Sequence, residues 1–313
     1  CPWKNTGAAG ISWRSGKNKV NEKEGKEKMA IEMLGAEVAK AMKERIISRG
    51  DRLKQEGIIP CLTIIRIGER PDDLSYERGA KKRMELTGIE CRVKELPEEI
   101  SQEEVEGLFR KVNADETVHG ILLFRPLPAH LDEKPVRKMI NPYKDVDCMS
   151  DVNLAKVFAG DQSGFAPCTA EAVMEMLEHY GIDVCGKKVT VVGRSMVVGR
   201  PLAMLMLQKN ATVTVCHTRT AELAETCRNA DILVAAAGRA KMITSDMIGE
   251  GAIVADVGIN ADAEGKMCGD VDYEGALEKA SFISPVPRGV GSVTTSVLAL
   301  HVIKAAEYLA HLE

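Results

Sequence analysis

The chain is 313 residues long, enough for two domains with separate cores. Its 42 lysines and arginines against 46 aspartates and glutamates leave a formal net charge of -4. No polyanion-binding surface is implied, and the basic residues are neither clustered nor interleaved with aromatics, so nucleic acid is not an expected partner. No apolar run approaches the about 18 residues of a membrane span. Nine scattered cysteines without a CxxC pair suit reduced thiols in a cytoplasmic protein better than a disulfide framework or a zinc site.

Residues 1–28 stand apart: both tryptophans, the run KNKVNEKEGKEK and no apolar period. They are expected to be a leader or fragment start, a transit peptide being disfavoured by the single arginine. Met29 opens a stretch with helical spacing at Met33, Val38, Met42 and Ile46, and the spacing predicts a helix over 35–55 stopped by Gly57. Strand 61–68, a polar turn GERPDD, helix 74–87 before Gly88, strand 90–96 and a helix 101–112 opened by a Ser101/Glu104 capping box follow. A strand over 120–128 ends at prolines, and a loop-rich bridge (INPYKDVDCMSDVN) leads to helix 169–180.

Strands are then expected at 187–192, 211–216, 231–238, 251–259 and 280–287, with helices at 200–209 and 220–229 and a long amphipathic helix over 292–312. Alternation at this spacing indicates βαβ crossovers and mostly parallel sheets. The fold class is α/β, with two α/β domains and a cleft between them, the second Rossmann-like. The expected division is 29–165, completed by the last helix, and 166–291.

Val189 to Pro201, VTVVGRSMVVGRP, organises the second half. A β-branched strand ends at Gly193, polar Arg194 and Ser195 follow, and Gly199 precedes a helix-forming run. This is how a nucleotide-binding βαβ unit begins, although the glycines are six apart and Ser195 stands where a second glycine is usual. An NAD-binding unit closes its second strand with a carboxylate for the ribose hydroxyls. Here that strand ends in Cys216-His217-Thr218-Arg219-Thr220, so Arg194 and Arg219 offer donors where a 2′-phosphate lies, and NADP is favoured over NAD. The alternative for Arg219 is a solvated loop arginine. His119 and His217 lack partners at metal-ligand spacing, and no metal is expected.

Taken together, HGILLFRPLP (119–128), NPYKDVDC (141–148), PCTAEA (167–172), VVGRSMVVGRP (191–201), ATVTVCHTRT (211–220), DILVAAAGR (231–239), VADVGIN (254–260), GDVDYE (269–274) and SPVPRGVGSVT (284–294) resemble the bifunctional methylenetetrahydrofolate dehydrogenase/cyclohydrolase family, in that family's order. The resemblance implies NADP-linked oxidation of 5,10-methylenetetrahydrofolate, then hydrolysis of the methenyl product to 10-formyltetrahydrofolate, in a homodimer. It implies that Tyr76 stacks on or orients the folate, that Asp147 hydrogen-bonds the pterin, and that Pro285 and Gly289 belong to the folate-side loop. Gly193, Arg194, Ser195 and Thr218 become NADP contacts, and Ile259 a nicotinamide-side contact. The bland alternatives are that Asp145 and Asp147 cap the bridge turn and that Tyr76 is a half-buried helix residue.

The pattern breaks at the water-handling residues. The family's lysine lies four residues after the tyrosine, on the same helical face, and that position is Ala80. At about 100° per residue, Lys81 and Lys82 lie about 140° and 120° away on opposite sides. Arg83 returns to the Tyr76 face but is a poor proton shuttle. The family's partner glutamine is Phe124 here, Arg288 replaces a glycine in the PVP-G-GVG loop, and Cys148 replaces the glycine after KDVD. Hydride transfer needs chiefly orientation, whereas water addition needs proton management. The expectation is a dehydrogenase whose cyclohydrolase is weak or absent. The alternatives are a catalytically silent NADP/folate-binding paralogue and a dehydrogenase for another substrate.

Overall fold

The computed structural model describes residues 29–311. The expectation for 1–28 lies outside the described residues. The first half comprises β1 (Ile31–Glu32), α1 (Gly35–Gln55), β2 (Cys61–Ile67), α2 (Pro71–Thr87), β3 (Glu90–Leu96), α3 (Gln102–Ala114), β4 (Gly120–Leu123), α4 (Glu133–Met139) and α5 (Asp151–Ala159). The second comprises α6 (Cys168–His179), β5 (Lys188–Val192), α7 (Gly199–Gln208), β6 (Thr212–Cys216), α8 (Leu223–Arg228), β7 (Ile232–Ala235), β8 (Ile253–Asp256), β9 (Asn260–Ala261), β10 (Met267–Cys268), α9 (Tyr273–Leu277), β11 (Phe282–Ile283) and α10 (Thr294–Leu309).

Two parallel sheets result. One has order β3-β2-β4; the other runs β1-β11-β8-β7-β5-β6. In the larger sheet the first three strands of the unit lie β6-β5-β7, so the order reverses beside β5, and the carboxyl ends of β5 and β7 frame the crevice where such sheets take ligands. β2 is buried along its whole length, as a central parallel strand covered on both faces must be.

Local sequence explains several element ends. Ser101 accepts from the Glu104 N–H while Glu104 reaches back to the Ser101 N–H, so the capping box forms as expected. Gly88 closes α2 in the left-handed conformation, φ 70°. Helix α2 begins earlier than the polar turn suggested, because Pro71 fits the first helical position.

Several expectations need correction. The strand expected over 120–128 stops at Leu123, since Pro126 and Pro128 have no N–H for a ladder. The bridge is not all loop: α4 and α5 are capped by Asp132 and Ser150. Residues 31–32, expected to belong with the first half, pair in parallel with β11 and join the second sheet. The last helix is not simply amphipathic. Val297, Leu298, Ala299, Val302 and Ile303 are all buried, and the helix is apolar nearly all round. It packs on α1, α2 and α6, and one apolar cluster runs from β2 through these helices to β5.

Candidate active site

Gly193 follows β5 at φ 135°, and a Cβ there would lie 2.1 Å from the Ala236 carbonyl oxygen beyond β7. A Cβ at Gly199 would lie 2.0 Å from the Gly193 oxygen. Both positions therefore demand glycine, and the six-residue spacing is what lets α7 start against the turn. Ser195 Oγ accepts from the Val198 N–H at 3.0 Å, so it caps the 196–198 turn where a second glycine is usual. Arg194 stands exposed beside it.

At the end of β6, His217 N–H donates to Thr220 Oγ1 at 2.8 Å and Arg219 N–H donates to His217 Nδ1 at 3.1 Å. This tight turn leaves Thr218 and Arg219 exposed. A glycine-lined close turn with exposed cations at two strand ends fits a phosphorylated dinucleotide.

The floor of this crevice is built by two carboxylates whose roles sequence reading missed. Asp270, fully buried, accepts from the N–H groups of Ala237 (2.6 Å), Gly238 (3.0 Å) and Arg239 (2.7 Å), and from Asn260 Nδ2 (2.9 Å). It thereby ties the loop after β7 to Asn260, next to Ile259. Asp256 accepts from the N–H groups of Gly258, Asp270 and Val271. Burial pushes its carboxyl up to about 7 against those three bonds. The signal was present in VADVGIN and GDVDYE, as aspartates among small residues, but nothing local gives their partners. Ile259 itself is 66% exposed.

On the opposite side, the KDVD segment divides its labour. Lys144 donates to the carbonyls of Asn113 and Asp115, and Asp145 accepts from Met149 N–H, Ser150 N–H and Asn153 Nδ2. Asp145 is thus the turn cap. Asp147 remains partly open; its Oδ1 accepts from the Cys168 N–H at 3.1 Å and its Oδ2 lies 3.9 Å from Arg125 Nη2. Burial raises its pKa, opposed by the Cys168 N–H and Arg125. Arg125, which also reaches Glu133 at 3.2 Å, is a third residue that sequence reading missed.

Tyr76 is half-buried on α2, and its ring meets Phe124 edge-on with centroids 5.9 Å apart. Burial lifts its phenol well above the ordinary value, while the Thr294 hydroxyl opposes the shift. Ala80 is fully buried and shares the apolar cluster with Phe124. Lys81 is exposed, 3.8 Å from Glu77 Oε1, and Arg83 is half-buried with its pKa lowered by that burial.

The loop of Pro285 and Gly289 is equally compact. A Cβ at Gly289 would lie 2.4 Å from the Pro285 oxygen, and Gly35 N–H donates to the Arg288 carbonyl at 2.8 Å. Arg288 has φ 86° and Cys148 φ 54°, so both replacements of an expected glycine sit in the left-handed region. The Arg288 guanidinium is 3.7 Å from Glu32. Among the described residues no group of three or more His, Cys, Asp and Glu is arranged to hold a metal, and no helix is long and apolar enough to cross a membrane.

One cavity brings the halves together, lined by Arg125, Asp147, Cys148, Pro167, Met196 and Val197. Residues 33–147 match the catalytic domain of tetrahydrofolate dehydrogenase/cyclohydrolase, and residues 167–310 match its NAD(P)-binding domain. The chain belongs to the tetrahydrofolate dehydrogenase/cyclohydrolase family. It is 55% identical over 273 residues to the bifunctional protein FolD of Clostridioides difficile, covering 87% of this chain and 95% of that one. A FolD of Alkaliphilus oremlandii is 53% identical, with 88% and 97% covered. Among solved structures, the bifunctional FolD of Campylobacter jejuni superposes with a TM-score of 0.86 at 40% identity, covering 88% and 98%. The Trypanosoma brucei FolD, solved with NADP cofactor and inhibitor, gives 0.84 at 35% identity, covering 90% and 98%. Within the tetrahydrofolate dehydrogenase/cyclohydrolase family, the matched domains place the glycine turn in the NAD(P)-binding part and Tyr76, Phe124 and Asp147 in the catalytic part.

Proposed function

We propose that this chain oxidises 5,10-methylenetetrahydrofolate to the 5,10-methenyl form with NADP, and that its hydrolysis of that product to 10-formyltetrahydrofolate is weak or absent. The observation that carries the reading is the match of residues 33–147 and 167–310 to the family's two domains, with Asp147, Met196 and Val197 lining one small cavity of about 30 Å³ where the halves meet. In this reading residues 29–165 with α10, apart from the 31–32 strand that pairs into the other sheet, form the folate half and 166–291 the NADP half.

Gly193, Arg194 and Ser195 hold the pyrophosphate and ribose side, Thr218 and Arg219 the 2′-phosphate, and Ile259 lies against the nicotinamide. When bound, NADP supplies a hydride acceptor. Asp147 takes the paired N–H donors of the pterin, Tyr76 holds its ring, and Pro285 and Gly289 shape the loop beside it. These groups orient the methylene carbon, which is what hydride transfer chiefly needs.

Support for the impaired second step is the pair of apolar residues at the water-handling positions. Ala80 and Phe124 lie in one cluster, Lys81 is drawn to Glu77, and Arg83 remains a guanidinium. Two assays decide the matter: NADPH formation from methylenetetrahydrofolate, and absorbance loss of methenyltetrahydrofolate against buffer. NADPH formation with hydrolysis near the buffer rate is expected; no NADPH formation overturns the dehydrogenase, and hydrolysis matching the bifunctional relatives overturns the impairment.

A second copy of the chain is the proposed partner. β6 is an open sheet edge, and beside it a largely apolar cavity of about 530 Å³ is lined by Phe158, Met196, Pro201, Met204 and Val215 together with Arg194, Arg200 and His217. Phe158 is 76% exposed on that face. Edge pairing plus this face suits an isologous dimer; light scattering on wild type and Phe158→Asp tests it. The eight described cysteines are all unpaired thiols, which supports a cytoplasmic location.

A further inference from the structure

His301 on α10 is 2% exposed and lies behind the Asp147 turn. Its Nδ1 is 2.8 Å from the Val146 carbonyl oxygen and its Nε2 is 2.9 Å from Glu171 Oε2 on α6. A carbonyl and a carboxylate only accept, so both ring nitrogens donate and the ring is an imidazolium. Burial works against that charge, yet the Glu171 carboxylate and the Val146 carbonyl raise the pKa above the ordinary histidine value. Glu171 is lowered in turn: burial raises it, but His301, with Lys304 and Arg45, outweighs this.

The same turn is held from α6 by Cys168. Its Sγ donates to the Val146 oxygen at 3.4 Å, and its N–H donates to Asp147 Oδ1 at 3.1 Å. The Phe165 ring packs against the imidazole at 5.3 Å between centroids. The carbonyl gripped by His301 belongs to the peptide that enters Asp147, and the residue that leaves it, Cys148, has φ 54°. Rotation of that peptide plane would swing the carboxylate out of the cleft.

We propose that the His301–Glu171 pair is a positioning device for the folate-facing carboxylate. The imidazolium fixes the Val146 carbonyl and so sets the direction in which Asp147 meets the pterin. This rests on the reading of Asp147 given above. His301 touches no substrate; it acts through the 146–147 peptide.

The test measures KM and kcat for methylenetetrahydrofolate, KM for NADP and Tm on the full chain. His301→Ala is expected to raise the folate KM at least ten-fold, with the NADP KM within two-fold. His301→Gln, which keeps one donor for the Val146 carbonyl, recovers most of that loss, and Glu171→Gln raises the folate KM about three-fold. A wild-type folate KM in these variants overturns the proposal, as does a parallel rise of both KM values tracking a lowered Tm. Where His301→Ala does not fold, His301→Gln and Glu171→Gln decide by the same criterion. Asp147→Asn is assayed beside them. If it leaves the folate KM unchanged, the reading of Asp147 fails and the positioning role with it. If it raises that KM and the His301 variants do not, the positioning role alone fails.

Discussion

Tyr76 and Phe124 meet edge to face, ring centroids 5.9 Å apart and planes 84° from parallel. The contact places an aromatic edge where the family resemblance puts a glutamine, and the buried Ala80 methyl shares its cluster. An ammonium introduced at position 80 alone would lose hydration within that apolar cluster.

Ala80→Lys by itself is therefore expected to lower stability by about 1–3 kcal/mol and to leave methenyltetrahydrofolate hydrolysis unchanged. Ala80→Lys with Phe124→Gln should recover part of that stability and raise hydrolysis. Denaturant melts and the absorbance assay on the single and double variants check both halves.

Arg219→Ala is expected to weaken NADP binding about 10–100-fold, the worth of a charge-assisted bond to a phosphate, while NAD binding changes little. Titration calorimetry with the two cofactors checks it. Equal losses for both would show that Arg219 does not read the 2′-phosphate.

Asp270→Asn should destabilise the fold by about 2–4 kcal/mol, because an amide nitrogen would face some of four donors that now share one carboxylate. Its NADP KM should also rise, since the loop after β7 and Asn260 lose their common tie. Urea melts and cofactor kinetics report the two effects separately.

Arg288→Gly is expected to stabilise by about 0.5–1 kcal/mol. Arginine at φ 86° bears left-handed strain that glycine escapes, and its exposed ion pair with Glu32 contributes little. A fall in stability would mean that the Glu32 contact outweighs the strain.

Asp256 carries a pH signature. Its folded pKa of about 7 lies above the ordinary carboxylate value of 3.8, so the folded form holds the proton more tightly. The stability it contributes is full below about pH 4 and is lost as pH rises through about 7. Asp256→Asn should flatten that decline, as read from melts between pH 4 and 8.

Local chemistry is legible without the fold. The capping box at Ser101, the glycine stop at Gly88, the strand–turn–helix at Gly193 and the bounds of α1 and β3 each depend on residues within a few positions of one another. The missing carboxylate after β6 is equally local, so the cofactor reading needed only the chain, whereas the alanine one turn beyond Tyr76 stands out only against the family resemblance. What tertiary structure decided is which polar groups meet. Asp270 finds its N–H donors more than thirty positions away, and His301 reaches Val146 across 155. Asp145 and Asp147, two residues apart, take opposite roles because one is enclosed by its own turn and the other opens on the cavity with Met196 and Val197. Helical period marks α10 as helix, but only packing on α1, α2 and α6 shows it buried nearly all round. Burial depends on which elements surround a face, and no spacing within one element carries that information.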